Sequence, residues 1–145
     1  MRLNKIIFFF IFCLIFFANK ALSKENKIIL KLNNEIITTV DILNEIKFLS
    51  IMNNEFKNIE KNKKIEIAKN SLIKQKIKFI ELSKFRKNMN LEDNIFEEII
   101  KSYFKNLNIN SFKKYELFFE KEGLSLEFVK EKITINTYWN QLIYK

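Results

Sequence analysis

The sequence contains no histidine and no proline, and its 145 residues include a single glycine, Gly123, and a single cysteine, Cys13. Without histidine, the chain lacks the commonest general base and a frequent zinc ligand. One glycine is too few for a glycine-rich phosphate loop, and one cysteine cannot form a disulfide within the chain. Conventional enzyme catalysis is therefore not expected, and neither a cofactor nor a metal site is predicted.

Arginine is also scarce, since only Arg2 and Arg86 occur among 26 basic residues. Nucleic-acid recognition favours arginine, because its guanidinium group makes two-pronged contacts with bases and phosphates. We therefore interpret the formal net charge of +9 as a solvated, lysine-rich surface. No nucleic-acid partner is expected.

The amino terminus has the pattern of a secretory signal peptide. Arg2 and Lys5 precede an uninterrupted apolar run of 12 residues at 6–17, and Ala21-Leu22-Ser23 places small residues before a cut after Ser23. The alternative is an uncleaved membrane anchor, which is disfavoured because a spanning helix needs about 20 apolar residues. The sequence thus predicts a cleavable signal peptide at 1–23.

The predicted exported domain at 24–145 is about the size of one domain. Cleavage removes Cys13, so this domain has no cysteine in a compartment that permits disulfides, and its stability must come from a packed core. It retains 23 basic and 17 acidic residues, a net charge of +6. No stable membrane span is expected after cleavage.

We predict a mainly α fold, in which a small N-terminal β-hairpin packs on a bundle of about five helices. Short apolar stretches on both sides of Asn33-Asn34 indicate the hairpin. Apolar periodicity and capping residues predict helices over about 40–52, 65–85, 90–105 and 111–122, and from Ser125 to the end of the chain.

The expected caps are a Thr38–Asp41 capping box, then Asn90, Ser111 and Ser125, with Gly123 ending the fourth helix. The polar stretch at 53–64 is expected to be a solvated loop, and Ile95, Ile99 and Phe104 are expected on the inner side of the third helix.

Two groups of side chains could carry chemistry or binding. The carboxylate pairs Glu97-Glu98 and Glu120 with Glu122 lie among lysines, which favours ordinary surface pairing over acid/base catalysis. The second group is a cluster of aromatic residues: Tyr103, Phe104, Phe112, Tyr115, Phe118 and Phe119. Most of its members are expected in the core, while exposed members could form an apolar groove for peptides.

Two segments carry a family resemblance. Lys27-Ile-Ile-Leu-Lys-Leu-Asn33-Asn34-Glu35-Ile36-Ile37-Thr38-Thr39-Val40-Asp41-Ile42 resembles the opening of the SurA-type periplasmic chaperones. Glu122-Gly123-Leu124-Ser125-Leu126-Glu127-Phe128, continuing to Thr137-Tyr138-Trp139-Asn140-Gln141-Leu142-Ile143, is similar to that family's step into the closing helix of its amino-terminal domain. The order and spacing of the predicted elements between these segments also fit.

The resemblance implies a periplasmic chaperone that holds unfolded, aromatic-rich segments of outer-membrane proteins without ATP. Family members usually continue into parvulin-type prolyl isomerase domains, to which no residue here corresponds. The chain is thus expected to be either a stand-alone chaperone module or the amino-terminal part of such an isomerase. A third interpretation is an envelope interaction protein attracted to anionic lipid. The residues expected to contact a client are Phe112, Tyr115, Phe118, Phe119 and Trp139, and a face left uncovered could also form a homodimer.

Overall fold

The computed structural model describes residues 26–144, and the predicted signal peptide at 1–23 lies outside the described residues. Within the described part, a two-stranded hairpin is followed by five α-helices, which confirms the predicted mainly α fold. Strands β1 (Ile28–Leu32) and β2 (Glu35–Thr38) pair antiparallel, and Asn33 turns the chain with a φ of 53°. Asparagine tolerates this left-handed backbone better than most residues do.

Helix α1 (Thr39–Met52) follows β2 without a loop and starts at the predicted capping box. The Thr38 hydroxyl accepts from the Asp41 N–H at 3.3 Å, and the Asp41 carboxylate accepts from the Thr38 N–H at 2.7 Å. These bonds satisfy two amides that no helical carbonyl can reach. The cap therefore fixes the direction in which α1 leaves the hairpin.

Helix α2 (Lys61–Phe85) is the longest helix, as predicted, but it starts at Lys61 rather than at residue 65. The loop expected over 53–64 is correspondingly shorter, and it contains a 3-10 helix at Asn54–Asn58 whose Phe56 is buried. Lysine has a high helix propensity, so Lys61 and Lys63 help to extend the helix into solvent although residues 61–63 are all exposed.

Helix α3 (Asp93–Tyr103) does not use the predicted cap. Glu92 is its N-cap residue and makes no capping bond, whereas the backbone carbonyl of Asn90 accepts a hydrogen bond from the Tyr138 hydroxyl. Leu91, between them, is buried in the core. Tertiary packing of this segment thus overrides the local capping preference of Asn90.

The inner face of α3 is also rotated from the predicted one. Phe96 and Ile100 are its buried residues, and Phe104 is buried just beyond its end, as predicted. Ile99 packs at the edge of the core, but Ile95 is exposed, so its assignment to the inner side was wrong.

Helix α4 spans Phe112–Lys121, and Gly123 terminates it from just beyond its C-cap residue, as predicted. Gly123 has a φ of 66°, and its N–H donates to the Glu120 carbonyl at 3.0 Å. The Leu124 N–H donates to the Phe119 carbonyl at 2.9 Å, which completes a Schellman motif. This turn redirects the chain into the last helix.

The remaining predicted caps are confirmed. Ser111 accepts from the Lys114 N–H at the start of α4. Ser125 accepts from the Phe128 N–H at the start of helix α5 (Leu126–Ile143). Each cap satisfies one otherwise unpaired amide of the first turn.

The core consists of two hydrophobic clusters. The larger lies among the helices, and its fully buried members include Phe96, Ile100, Phe104, Tyr115, Phe119, Val129, Ile133 and Ile135. The smaller lies where the hairpin meets α1 and α2 and contains Ile37, Ile42, Ala68 and Leu72. Phe128 of α5 packs against both clusters, so the hairpin and the helical bundle share one continuous interior.

Candidate functional site

A buried polar network lies where α1, α2 and α5 meet. Glu45 of α1 and Lys132 of α5 form an ion pair with 2.7 Å between Oε2 and Nζ, and their side chains are 0% and 6% exposed. Ser71 donates to Glu45 Oε1 at 2.6 Å, and Lys132 donates to Gln75 Oε1 at 2.6 Å. Helix α2 thus supplies a neutral partner to each of the two charges.

The geometry of this pair indicates a structural role. Glu45 Oε2 accepts no hydrogen bond of good geometry, so the contact with Lys132 is an ion pair defined by its short distance. Such a distance gives a strong Coulomb attraction in a low-dielectric interior, whatever the bond angle. Lys132 also lies over the rings of Phe48 and Phe128, at 5.2 and 5.7 Å. Both charges are closed off from solvent, so the pair fixes α5 on α1 and α2 and is not positioned to reach a substrate.

Two of the five residues predicted to contact a client lie in the core. Tyr115 and Phe119 are 1% and 0% exposed, and the Tyr115 hydroxyl donates to the Leu126 carbonyl at 2.9 Å. Burial raises the pKa of the Tyr115 phenol well above its usual range, and the carboxylates of Glu127 and Glu116 raise it further. In this conformation neither residue offers surface to a ligand.

The other three predicted residues reach the surface in part. Phe112 is exposed, while Phe118 and Trp139 are half-buried against the larger cluster. Ring contacts connect Phe112 to Tyr115 at 5.8 Å and Phe118 to Phe119 at 5.1 Å. Trp139 makes no ring–ring contact with these four within residues 26–144. The structure thus brings the α4 aromatics together and places Trp139 apart from them.

The surroundings of Trp139 are polar and basic. Lys78 Nζ lies 5.9 Å from the centre of the indole ring and donates to Asn136 Oδ1 at 2.8 Å. Partial burial lowers the pKa of Lys78, and the positive charges of Lys132 and Lys74 lower it further. This charge makes the surface around Trp139 poorly suited to bind apolar side chains.

The first groove, the α2–α5 groove, has a volume of about 410 Å³ and opens between α2, the segment 86–92 and α5. This volume lies in the range typical of ligand pockets. Its apolar lining comprises Phe79, Met89, Leu91 and Ile135. Its polar lining comprises Asn90, Asp93, Glu127, Lys130, Glu131 and Thr134. The groove combines an apolar floor with a charged rim.

Tyr138 holds the wall of this groove in place. Its hydroxyl donates to the Asn90 carbonyl at 2.9 Å, and the Arg86 guanidinium lies 4.0 Å from the centre of its ring. The segment 86–92 is therefore attached to α5 at two points, and Leu91 anchors it in the core. The groove is consequently preformed in the folded chain.

The second groove, the α3 groove, has a volume of about 470 Å³ and is lined by Asp93, Asn94, Phe96, Glu97 and Phe112. Its apolar floor is the edge-to-face pair of Phe96 and Phe112, whose ring centres are 6.3 Å apart. Phe112 was among the predicted client-contacting residues, and it alone of the five lines either groove. Asp93 lines both grooves, so they adjoin at the start of α3.

Sequence reasoning did not identify the α2–α5 groove. A signal was present, because Met89 and Leu91 alternate with polar residues in the link before α3. That pattern indicates a segment with one face on the core, but it does not show that Tyr138 positions the segment. Glu45 also gave a signal, since it follows Ile42 and precedes Phe48 at core spacing.

Among residues 26–144, no group of three or more potential ligand side chains is arranged to hold a metal ion. No helix of this part of the chain is long and apolar enough to cross a bilayer. In comparisons with known proteins, the chain matched no family model, no curated protein and no solved structure. The resemblance to SurA-type chaperones thus stays a prediction.

Proposed function

We propose that the chain is an exported, periplasmic chaperone that holds unfolded, aromatic-rich segments of outer-membrane proteins without ATP. The observation that carries this proposal is the pair of apolar-floored grooves that adjoin at Asp93. Tyr138 fixes the wall of one groove, and the Phe96–Phe112 contact forms the floor of the other. An extended client that crosses Asp93 can place one apolar side chain in each of the two grooves.

The size of the grooves suits weak, reversible binding. Burial of one large apolar side chain contributes about 1.5–3 kcal/mol, so two anchors contribute about 3–6 kcal/mol before the cost of ordering the client. A binding free energy of about 4 kcal/mol corresponds to a Kd near 1 mM, and about 8 kcal/mol to 1 μM. Each engagement is therefore short-lived, and a client can leave without an energy source.

The elements on which the family resemblance rests support the proposal. The hairpin, the Thr38–Asp41 capping box and the Gly123 step into α5 all form as ordered structure. The predicted signal peptide at 1–23 supports export to the compartment where such clients are unfolded.

The test uses the chain from residue 24, which contains the whole described fold. A chemically unfolded porin is diluted into buffer with increasing amounts of the chain, and aggregation is followed by light scattering. We expect suppression that rises with the concentration of the chain and needs no nucleotide. Aggregation at the rate seen with an equal mass of an inert protein would count against the proposal.

A further inference from the structure

The rims of the two grooves have the opposite charge balance to the chain as a whole. They carry four carboxylates, from Asp93, Glu97, Glu127 and Glu131, and a single cation, Lys130. The whole sequence, by contrast, contains 26 basic and 17 acidic residues. The apolar floors thus lie in an acidic region of a basic protein.

Two of these carboxylates are largely free to meet a ligand. Asp93 is fully exposed and lies 3.8 Å from Lys130, a contact that water screens strongly. Glu127 is exposed and has no ion-pair partner among residues 26–144. The Lys130 ammonium group lies 5.1 Å from the centre of the Phe96 ring, which is part of the floor of the α3 groove.

The other two carboxylates are partly neutralised. Glu97 pairs with Lys101 at 3.4 Å, and Glu131 lies 3.8 Å from Lys76, which bonds more closely to Glu35 at 2.8 Å. The uncompensated negative charge is therefore concentrated at Asp93 and Glu127.

We infer that the grooves select client segments in which a large apolar side chain lies next to lysine or arginine. This inference rests on the proposed function and adds the chemistry of the client. The apolar side chain occupies a groove floor, and the neighbouring cation meets Asp93 or Glu127 at the rim. The aliphatic stem of lysine or arginine can cover apolar surface while its charge stays in water. A client carboxylate at the same place meets like charge and is disfavoured.

The test compares two fluorescent peptides with identical aromatic and leucine positions, one flanked by lysines and the other by glutamates. Binding to the chain from residue 24 is measured by anisotropy at low and high salt. We expect the lysine peptide to bind about fivefold more tightly at low salt, with the preference shrinking as salt screens the rim. The net charge of +6 on residues 24–145 favours the opposite order, so this preference cannot arise from overall charge.

A pair of double variants assigns the preference to the rim. Asp93→Asn with Glu127→Gln should abolish it. Glu55→Gln with Glu120→Gln changes the net charge equally, but these residues line neither groove, so the preference should persist. Circular dichroism establishes that both proteins are folded.

Each result has a defined meaning. Equal binding of the two peptides, or a preference that survives in the Asp93–Glu127 variant, overturns the inference and leaves the proposed function intact. If neither peptide binds but the chain still suppresses porin aggregation, the inference is again overturned and the proposed function stands. Absence of both peptide binding and suppression overturns the inference together with the proposed function.

Discussion

Glu45 and Lys132, from the first and last helices of the bundle, place opposite charges 2.7 Å apart in the interior. Burying two charges costs several kcal/mol for each ion, and mutual attraction offsets this only while both are present. Lys132 also lies over the rings of Phe48, which belongs to the larger cluster, and Phe128, which contacts both clusters. Removing one of the two charges should therefore lower the free energy of unfolding more than removing both.

We predict that Lys132→Met lowers the free energy of unfolding by about 3–5 kcal/mol, because it leaves Glu45 buried without a counter-ion. The double variant Glu45→Met with Lys132→Met should lose much less, because no isolated charge remains. Urea unfolding, followed by the fluorescence of the single tryptophan, Trp139, measures both. A double variant as unstable as the single one would contradict this account.

Helix caps could be predicted from the sequence, but the Glu45–Lys132 pair could not. The caps at Ser111 and Ser125 were predictable because each involves only three or four consecutive residues. The partnership of Glu45 with Lys132 depends on how three helices meet, and no local pattern encodes it. Asn90 is the opposite case. Its sequence favours a helix cap, but Glu92 is the N-cap residue, and the Asn90 carbonyl instead accepts a hydrogen bond from the distant Tyr138.

The same limit applies to the candidate site. Phe112, Tyr115 and Phe119 recur at helical spacing, so periodicity places them on one face of α4. Only the depth of the surrounding packing separates the exposed Phe112 from the two buried residues. The sequence therefore predicted the aromatic cluster but not which of its members lines a groove.

Tyr138→Phe should lower the free energy of unfolding by about 1 kcal/mol, because the Asn90 carbonyl loses its hydroxyl donor. Tyr144→Phe is the matched control, since Tyr144 is 86% exposed and should be neutral. Hydrogen exchange should additionally show faster exchange in the segment 86–92 of Tyr138→Phe alone. Equal stability of the two variants would show that this bond does not hold the segment.

Gly123→Ala should destabilise the chain by about 1–2 kcal/mol, because the φ of 66° brings a Cβ atom too close to the following carbonyl. Gly123→Asn should lose less, since asparagine adopts this conformation more readily. Thermal and urea unfolding distinguish the two substitutions. If alanine and asparagine were equally tolerated, strain at the end of α4 would not limit stability.

Alkaline pH should destabilise the fold through Tyr115. Burial raises its pKa in the folded state, whereas the unfolded chain ionises at the usual value of about 10. Its contribution is thus fully present below about pH 10 and is lost as pH rises toward the higher folded pKa, because only the unfolded state releases the proton. Tyr115→Phe should show a shallower loss of unfolding free energy above pH 10 than the parent chain. Tyr144→Phe, which removes a phenol that is 86% exposed, is the matched control.

Phe112→Ser tests the groove most directly, because Phe112 forms half of the floor of the α3 groove and is 42% exposed. Losing roughly half of a large apolar contact should weaken client binding by about 1 kcal/mol, or about fivefold. Leu117→Ser is the matched control, since Leu117 lies on the same helix, is 55% exposed and lines neither groove. Both variants are compared in the porin aggregation assay at equal folded concentration, because Phe112 also contacts Tyr115. Equal loss of suppression in the two proteins would mean that general surface hydrophobicity, and not the groove, holds the client.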